Sequence, residues 1–487
     1  MRHNTRPSKT NSNSRLQLPD WIQNETAACV FPDERLSRRY ANLLEMISHR
    51  IGDSIPTACQ DWANTKAAYR FFSSKRFSEA EILGGHFQAT RLRASGVGGT
   101  LLVLHDTTEF SYERGNDFAL GLLRKAAQGV HPDGKIRHHT ARGILMHSSL
   151  VVTPDGLPLG IAAIKFWSRK KFKNCNALKR KINPTRVPIE QKESYRWLAN
   201  VRESTDLIER AQDCVHIGDR ESDIYELFCS AEENGTRFLV RTCVDRLAKD
   251  GNCTVGDVME QSPWKGVHQV KGRTKAGECY EAVLQIRFEE VLVRPPIGKE
   301  KKYPELRLTV IHAVEQSAPK GRERIQWKLL TNLPVDSLEM AIEKLEWYAM
   351  RWKIETFHKI LKSGCKTEAS KLRTSERLTK LISLCCVISW RIFWMTMVGR
   401  ENPAGPASAV FTKVEMKVLD LVVRKKAESC ECSPAGLAAY TVKLAQLGGY
   451  LARAGDPPPG NMVIWKGLSR LNDIQLGFDL ALKLMGN

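Results

Sequence analysis

The chain has 487 residues, and its 74 Lys and Arg outnumber its 54 Asp and Glu, which gives a formal net charge of +20. A balance this basic favours a polyanionic partner, and nucleic acid is the leading candidate. The sequence shows no run of about 18 apolar residues and no secretory leader, which argues against a membrane partner. The length allows about three domains.

Cysteine spacing argues against zinc fingers and disulfide frameworks, both of which need regular spacing. The sequence contains 13 cysteines and no Cys-x-x-Cys pair. We therefore predict reduced, mostly buried thiols in a cytosolic protein. Cys385-Cys386 lies in an apolar run, and Cys430 and Cys432 have no matching Cys or His pair nearby, so both pairs are interpreted as structural.

Three basic segments are predicted to contact DNA. Residues 1–16 carry four Lys or Arg and no acid, and their polar composition predicts a disordered arm. Residues 17–80 have the pattern of a helical DNA-binding domain, with basic residues at near-helical spacing. Residues 169–181 hold seven Lys or Arg and no acid, and a phosphate-contacting loop is favoured over a merely solvated one. The basic residues of the helical segment are Arg35, Arg38 and Arg39.

Two apolar runs each lead into an aspartate. Residues 101–105 precede Asp106, and residues 214–218 precede Asp219. Short apolar runs are typical of central strands in a parallel or mixed sheet, where functional groups follow the carboxyl ends. We therefore predict that each aspartate ends a buried strand.

Further segments complete a predicted α/β fold. Residues 143–152 and 157–166 have the pattern of a hairpin, and residues 238–242 that of another strand. The fold class is predicted as a ribonuclease-H-like mixed-sheet catalytic core over residues 81–400. The other predicted segments are helices at 189–212 and 223–234, a β-rich insertion at 244–324, a linker at 401–406 and a helical C-terminal dimerisation region over 401–487.

A helix predicted from about residue 337 carries Tyr348, Arg351, Glu355 and Lys362 within an arc of about 60°. One interpretation is a solvated face with an ordinary i,i+4 ion pair between Arg351 and Glu355. The other is a functional face left free for a ligand, because a separate apolar stripe is available for the core. The stripe consists of Ile342, Leu345, Ala349, Trp352 and Ile360.

Carboxylates from two strands and a helix suit a site with two divalent metal ions. Such ions lie about 3.5 to 4 Å apart and activate water for in-line attack on a phosphodiester. The candidate ligands are Asp106, Asp219 and Glu355. A di-iron site built on Glu355-x-x-His358 would need a second such motif, which is absent from the sequence, so His358 is interpreted as a surface or DNA-facing histidine.

These motifs together resemble those of the DDE transposases of bacterial insertion sequences, in the branch with a Tyr-x-x-Arg-x-x-x-Glu-x-x-x-x-x-x-Lys signature. The four residues of the helix face reproduce that spacing, and the resemblance covers roughly residues 20–480. Further matching segments are Ala68-Tyr69-Arg70-Phe71, Asp106-Thr107-Thr108, Asp219-Arg220-Glu221, Phe238-Leu239-Val240-Arg241 and Trp352-Lys353-Ile354-Glu355.

The resemblance implies an enzyme that binds its element's terminal inverted repeats, cleaves DNA and joins the ends to target DNA. It implies that Asp106, Asp219 and Glu355 bind Mg²⁺, which Mn²⁺ can replace. It also implies a cytoplasmic, nucleoid-associated bacterial protein. The residues implied to contact DNA are Tyr348, Arg351, Lys362, Arg241, Arg70 and Trp327.

Trp327 and the C-terminal segments carry two further implications of the resemblance. In relatives that cleave through a DNA hairpin, a tryptophan at the position of Trp327 stacks on a flipped base; a core tryptophan is the alternative, because Leu329 and Leu330 follow it. Residues 448–450 and 465–468 resemble a dimerisation segment, which implies a homodimer in the paired-end complex.

Two other functions are alternatives to a transposase. A metal-dependent nuclease without strand transfer would need the same three carboxylates. A binding-only regulator of transposition would not need them, so intact Asp106, Asp219 and Glu355 argue against it.

Overall fold

The computed structural model of the chain describes residues 19–112, 120–130, 136–169, 187–273, 279–317, 322–423 and 436–485. The predicted arm at residues 1–16, residues 170–181 of the third basic segment, and Cys430 and Cys432 lie outside these residues. The cysteines within them are free, as their spacing predicts.

Five helices build the N-terminal region, which confirms the predicted helical pattern. Asp33 and Asp61 begin the second and fourth helices by accepting hydrogen bonds from the amides of Arg35 and Asn64. A cluster of aromatic rings, including Phe71 packed 4.7 Å from Phe77 between centroids, holds the helices together. The helices are α1 (Asp20–Thr26), α2 (Glu34–His49), α3 (Ile55–Cys59), α4 (Trp62–Ser73) and α5 (Glu79–Ser95).

The described residues then form a 12-stranded mixed sheet. Its strands are β1 (Leu101–Ser111), β2 (Gly121–Val130), β3 (Ile136–Val152), β4 (Pro158–Trp167), β5 (Cys214–Gly218), β6 (Arg237–Arg241), β7 (Leu247–Ala248), β8 (Cys253–Thr254), β9 (Gly266–Arg273), β10 (Cys279–Val293), β11 (Leu306–Glu315) and β12 (Gln326–Thr331). The order is β2-β3-β1-β5-β6-β12-β11-β10-β7-β8, with β4 beside β3 and β9 beside β10. Strand β1 runs parallel to β5 and antiparallel to β3, and β5 runs parallel to β6.

Several strand predictions are confirmed and one is wrong. The predicted hairpin is β3 and β4, and Asp219 directly follows β5. Asp106, in contrast, lies in the middle of β1, because the strand continues along β3 as far as Ser111. The fully buried Phe110 anchors this extension. An apolar run therefore marked only the first half of the strand.

The β-rich insertion predicted at residues 244–324 contains β9, β10 and β11. These strands continue the same sheet, because β11 pairs with β12 and β12 pairs with β6. A helix that the sequence did not predict lies between β8 and β9. The helices of this half are α6 (Tyr195–Ile208), α7 (Tyr225–Glu233) and α8 (Val255–Gln261); the first two confirm the helices predicted at 189–212 and 223–234.

Six further helices complete the described chain. They are α9 (Leu338–Ala349), α10 (Trp352–Lys359), α11 (Ser375–Glu401), α12 (Lys413–Val422), α13 (Leu437–Leu447) and α14 (Asn461–Met485). Helix α10 packs on β1, whereas α11 packs on β3 and β4. Helix α11 is long and apolar enough to cross a membrane, although no such run was expected from the sequence. Of its most apolar 18-residue stretch, 89% is buried inside the protein. It is therefore a core helix.

The glycines of the two C-terminal motifs bring α13 and α14 into backbone contact. A Cβ on Gly448 would lie 1.9 Å from the carbonyl oxygen of Val463, and one on Gly467 would lie 1.9 Å from that of Leu444. Only glycine permits this crossing. These motifs therefore fix a contact within the chain.

Candidate functional site

The three predicted carboxylates lie on three neighbouring elements of the structure. Asp106 belongs to β1, Asp219 follows the neighbouring parallel strand β5, and Glu355 lies on α10, which packs on β1. The side chain of Asp106 is 17% exposed and that of Glu355 is 54% exposed. The site therefore runs from a half-buried pair of aspartates outward to a solvent-facing glutamate.

The pKa of the Asp219 carboxyl lies above its ordinary value. Burial raises its pKa, and the negative charge of Asp106 adds to that increase. The backbone amide of Glu221, whose nitrogen lies 2.9 Å from the Asp219 carboxylate, and the cation Arg351 partly oppose the rise. The site thus concentrates negative charge that its own cations do not fully compensate.

Arg351 is the cation of this site. Its guanidinium lies 2.6 Å from the Glu355 carboxylate, so the predicted i,i+4 ion pair is present. Burial lowers the pKa of Arg351, but the charges of Glu355, Tyr348 and Asp106 outweigh burial and raise it overall. Arg351 therefore links the helix carboxylate to the strand carboxylate electrostatically, which an ordinary surface pair does not do.

Tyr348, Arg241 and Trp327 form the adjoining wall. Tyr348 is buried, which raises its pKa, while Arg351 and a hydrogen bond from Arg241 oppose that shift. The ring centroids of Trp327 and Tyr348 lie 5.5 Å apart in an edge-to-face arrangement. Trp327 is half-buried, so it is neither a free surface ring nor a fully enclosed core residue.

The single long helix predicted for the signature is wrong. Helix α9 ends at Ala349, and the amides of Arg351 and Lys353 bond to carbonyls three residues earlier, as in a 3₁₀ turn. A tighter turn rotates the following residues relative to a continuous α-helix. Contrary to the predicted faces, Tyr348 is buried, whereas Ala349 and Trp352 of the apolar stripe are exposed.

Lys362 lies on a second irregularity. Residues 360–364 form a π-helical turn directly after α10, a feature often found at functional sites. The Lys362 ammonium nitrogen lies 5.6 Å from the ring centroid of Phe110, near the end of β1. The cation is thus half-buried beside the same strand that carries Asp106.

Arg70 lies apart from this cluster, on the exposed face of α4. The same face carries Trp62, Lys66 and Tyr69, and the Trp62 side chain is 77% exposed. An exposed combination of aromatic rings and cations suits contacts with bases and phosphates. Arg70 was predicted from the sequence and Trp62 was not, although the spacing of one helical turn between Trp62 and Lys66 indicates a shared helix face.

His358 is the main site residue that the sequence analysis misjudged. It was interpreted as a surface histidine, but it is only 5% exposed. Its Nε2 lies 2.8 Å from the Ser148 hydroxyl and its Nδ1 lies 3.5 Å from a carboxylate oxygen of Asp106. The spacing of one turn between Glu355 and His358 indicates that both lie on one helix. The inward direction of the His358 ring is shown only by the packing of α10 on β1.

Whether the site can hold a divalent cation depends on how its donor atoms are arranged. In the described part of the chain, no group of three or more His, Cys, Asp and Glu is arranged to hold a metal ion; Glu355 instead faces Arg351. The oxygen donors and the uncompensated charge of Asp106 and Asp219 nevertheless suit Mg²⁺, which prefers carboxylates and keeps several waters. Asp106 and Asp219 are therefore the carboxylates whose chemistry suits the cation, whereas Glu355 is paired with Arg351.

The N-terminal helices match a known protein family. Residues 19–77 match the family model described as transposase DNA-binding. The match covers α1 to α4, including the exposed face with Trp62 and Arg70. It supports DNA as the partner and a transposase as the class of protein.

Proposed function

We propose that this protein is a DNA transposase that binds the terminal inverted repeats of its element, cleaves phosphodiester bonds with Asp106, Asp219 and Glu355, and joins the ends to target DNA. The observation that carries the proposal is the meeting of these carboxylates with Arg351 in a chain whose N-terminal helices match a transposase DNA-binding family. The net charge of +20 agrees with a DNA partner.

The strand order supports a ribonuclease-H-like core. Strands β4, β3, β1, β5 and β6 form one continuous block in which β1, β5 and β6 are parallel and β3 is antiparallel to β1. We propose that this block is the catalytic core and that the strands from β12 to β8 extend it. The two aspartates then lie on its two central strands.

The proposed roles of the residues follow from their places in the site. Asp106 and Asp219 would bind the cations on the buried side, and Glu355 would complete the ligand set from α10. When bound, two Mg²⁺ ions would lower the pKa of the attacking water and stabilise the leaving oxygen. Arg351, freed from Glu355, would then pair with a DNA phosphate, with Arg241 and Lys362 as further phosphate contacts.

Trp327 supports cleavage through a hairpin. A flipped base needs an aromatic surface, and Trp327 presents a half-buried ring whose neighbour Tyr348 touches it edge-on. That edge contact holds the ring in place without covering both of its faces. We propose that the uncovered part of the ring receives the base.

A homodimer is proposed from the far end of α14. Its last turns expose a set of apolar side chains, which a second copy would cover. Ile464 and Leu471, nearer its start, are fully buried, and Asp473 pairs with Arg50 of α2. The exposed set consists of Leu476, Phe478, Leu480, Leu484 and Met485.

The dimer is tested by a deletion that spares the buried part of α14. Removing residues 475–487 should keep the melting temperature and single-end binding, and should abolish the paired-end complex in gel-shift assays. A deletion from residue 401 would remove buried side chains and could not separate dimerisation from folding. Paired complexes formed by the 475–487 deletion would refute this interface.

The function is tested on DNA ends taken from the inverted repeats that flank the gene. The protein should bind these ends, nick them only when Mg²⁺ or Mn²⁺ is present, and join them to a target plasmid. Nicking without joining would identify a nuclease instead. Binding without nicking in either cation would refute the catalytic assignment.

A further inference from the structure

A hydrogen-bonded histidine connects the sheet to one of the proposed metal ligands. His358 lies on α10, buried against β1 and β3. Ser148 on β3 is the direct cross-strand neighbour of Asp106 on β1, so their side chains leave the sheet on the same face. The imidazole spans these two neighbours, with 2.8 Å from Nε2 to the Ser148 hydroxyl oxygen and 3.5 Å from Nδ1 to the Asp106 carboxylate.

The chemistry of the two neighbours fixes the tautomer of the ring. An ionised carboxylate only accepts hydrogen bonds, so the nitrogen that faces Asp106 should be the one that carries a proton. The Ser148 hydroxyl then donates to Nε2. Ser148 therefore orients the ring, and Asp106 determines which nitrogen bears its proton.

Asp106 and Asp219 are oriented by different groups. Asp219 follows a strand end, and the backbone amide of Glu221 donates to its carboxylate. Asp106 lies inside β1, where it pairs with Ser148 of β3, while the pairing of β1 with β5 ends at Leu104, two residues earlier. The structure brings Arg351 toward Asp106 through its charge, and His358 with its Nδ1 3.5 Å from the carboxylate. His358 also bonds to Ser148, the cross-strand neighbour of Asp106.

We propose that His358, held by Ser148, is a positioning residue that keeps Asp106 in the orientation required to bind the divalent cation. The proposal rests on the proposed function, because it takes Asp106 as a ligand. The Nδ1 distance exceeds the roughly 2.7–3.2 Å of a strong N–H···O bond, so His358 restrains the carboxylate electrostatically from a fixed site. Groups that orient ligands in this way typically change metal affinity or activity about 10- to 100-fold when removed.

Two adjacent serines provide a matched pair of variants. Ser148→Ala removes the hydroxyl that holds His358. Ser149→Ala removes the same group one residue later, but Ser149 faces the other side of the sheet, where it contacts His105 and Asn200. Only the first change should affect the cation.

Two amide replacements of His358 separate its two contacts. In asparagine the amide nitrogen occupies about the place of Nδ1, so His358→Asn keeps a donor toward Asp106 and loses the bond to Ser148. In glutamine the amide lies about where Nε2 was, so His358→Gln keeps the contact with Ser148 and loses the donor toward Asp106. A positioning role predicts that asparagine retains more function, whereas a purely structural role predicts no such order.

The experiment measures Mn²⁺ affinity of the full-length protein by electron paramagnetic resonance, together with nicking of end DNA and melting temperature. His358→Gln should bind Mn²⁺ about 10- to 100-fold more weakly. His358→Asn and Ser148→Ala, which each keep a donor toward Asp106 but lose the bond between positions 358 and 148, should lie between His358→Gln and wild type, and Ser149→Ala should bind as wild type does. Wild-type affinity in both His358→Gln and Ser148→Ala would overturn the proposal. If Asp106→Asn also binds and nicks normally, the proposed function fails instead.

Discussion

Two pairs of polar side chains, one on each face of the central sheet, differ in how they are paired. On the face toward α6, His105 and His216 bond to each other at 2.8 Å, and each uses its second nitrogen on a hydroxyl, that of Ser149 or Thr205. On the face toward α10, Asp106 and Asp219 repel each other. Polar groups satisfied among themselves stabilise the fold, whereas groups left with excess charge are available to a ligand.

The difference is tested most strongly by neutralising one residue on the α10 face. Asp106→Asn should reduce nicking and joining at least about 10²- to 10³-fold, the loss expected when one group that stabilises transition-state charge is removed. End binding should persist, because Lys and Arg dominate DNA affinity. Single-turnover nicking and gel-shift assays measure the two effects, and Asp219→Asn and Glu355→Gln should behave alike. A variant that still cleaves in Mg²⁺ would remove its residue from the site.

Trp327 lies on the α10 face, so its truncation should affect chemistry more than stability. Stacking of a flipped base is worth about 1 to 3 kcal/mol, so Trp327→Ala should permit the first nick and slow hairpin formation roughly 5- to 150-fold. Trp327→Phe should restore part of the rate.

The control for this prediction is Trp264→Ala, which truncates a tryptophan that is 44% exposed and packs against Arg287 and His312 of the insertion. It should leave the ratio of hairpin to nick unchanged. A core role of Trp327 would instead cost about 3 to 5 kcal/mol and depress nicking, binding and melting temperature together.

On the α6 face, removing a polar group should affect stability and spare chemistry. His216→Leu would leave His105 Nε2 and the Thr205 hydroxyl without their partner, at a cost of about 1 to 3 kcal/mol. Urea unfolding should detect this loss, while the nicking rate per folded molecule stays at the wild-type level. A large fall in that rate would mean that the two faces are coupled.

The same histidine predicts how stability depends on pH. Burial lowers the pKa of His216 to about 3, whereas an unfolded histidine has a pKa of about 6.5. Below pH ~6.5 the unfolded chain binds a proton that the folded protein does not. The free energy of unfolding therefore decreases by about 1.4 kcal/mol, from this group, for each unit by which the pH is lowered. The stability gap between wild type and His216→Leu should therefore shrink by about 2 kcal/mol from pH 7 to pH 5.

Val103→Ala is the matched control for the pH dependence. Val103 is fully buried on the same face of β1 and does not titrate. Its stability gap from wild type should be the same at both pH values. A constant gap for His216→Leu as well would show that His216 is protonated in the folded protein.

Sequence patterns predicted the elements that local chemistry determines. The apolar run before Asp219, the hairpin of β3 and β4 and the alternating strands of the insertion are all visible in short windows. The pairing of β12 with β6 across the insertion is not, because it depends on contacts more than 80 residues apart. The sequence therefore showed a separate β-rich segment where the structure has one sheet.

The sequence indicates which residues are candidates for the site, but it gives less information on how they are arranged. The spacing of Tyr348, Arg351 and Glu355 predicted one face of a single helix. The helix breaks at a 3₁₀ turn after α9, and Tyr348 before the turn is buried, while Arg351 and Glu355 lie nearer the surface. His358 was misjudged because a histidine on an amphipathic helix can face either way. Its direction is set by Asp106 and Ser148, which come from strands formed more than 200 residues earlier.

The distance along the chain between the site's members also sets when the site can exist during synthesis. Asp106 leaves the ribosome about 250 residues before Glu355, which corresponds to roughly 12 to 50 s at about 5–20 residues per second. In that interval β1 and β5 can pair, but α10 has not been made and β12 has not joined β6. A nascent or prematurely terminated chain can therefore present the N-terminal DNA-binding helices without a complete set of carboxylates, and would occupy DNA without cutting it.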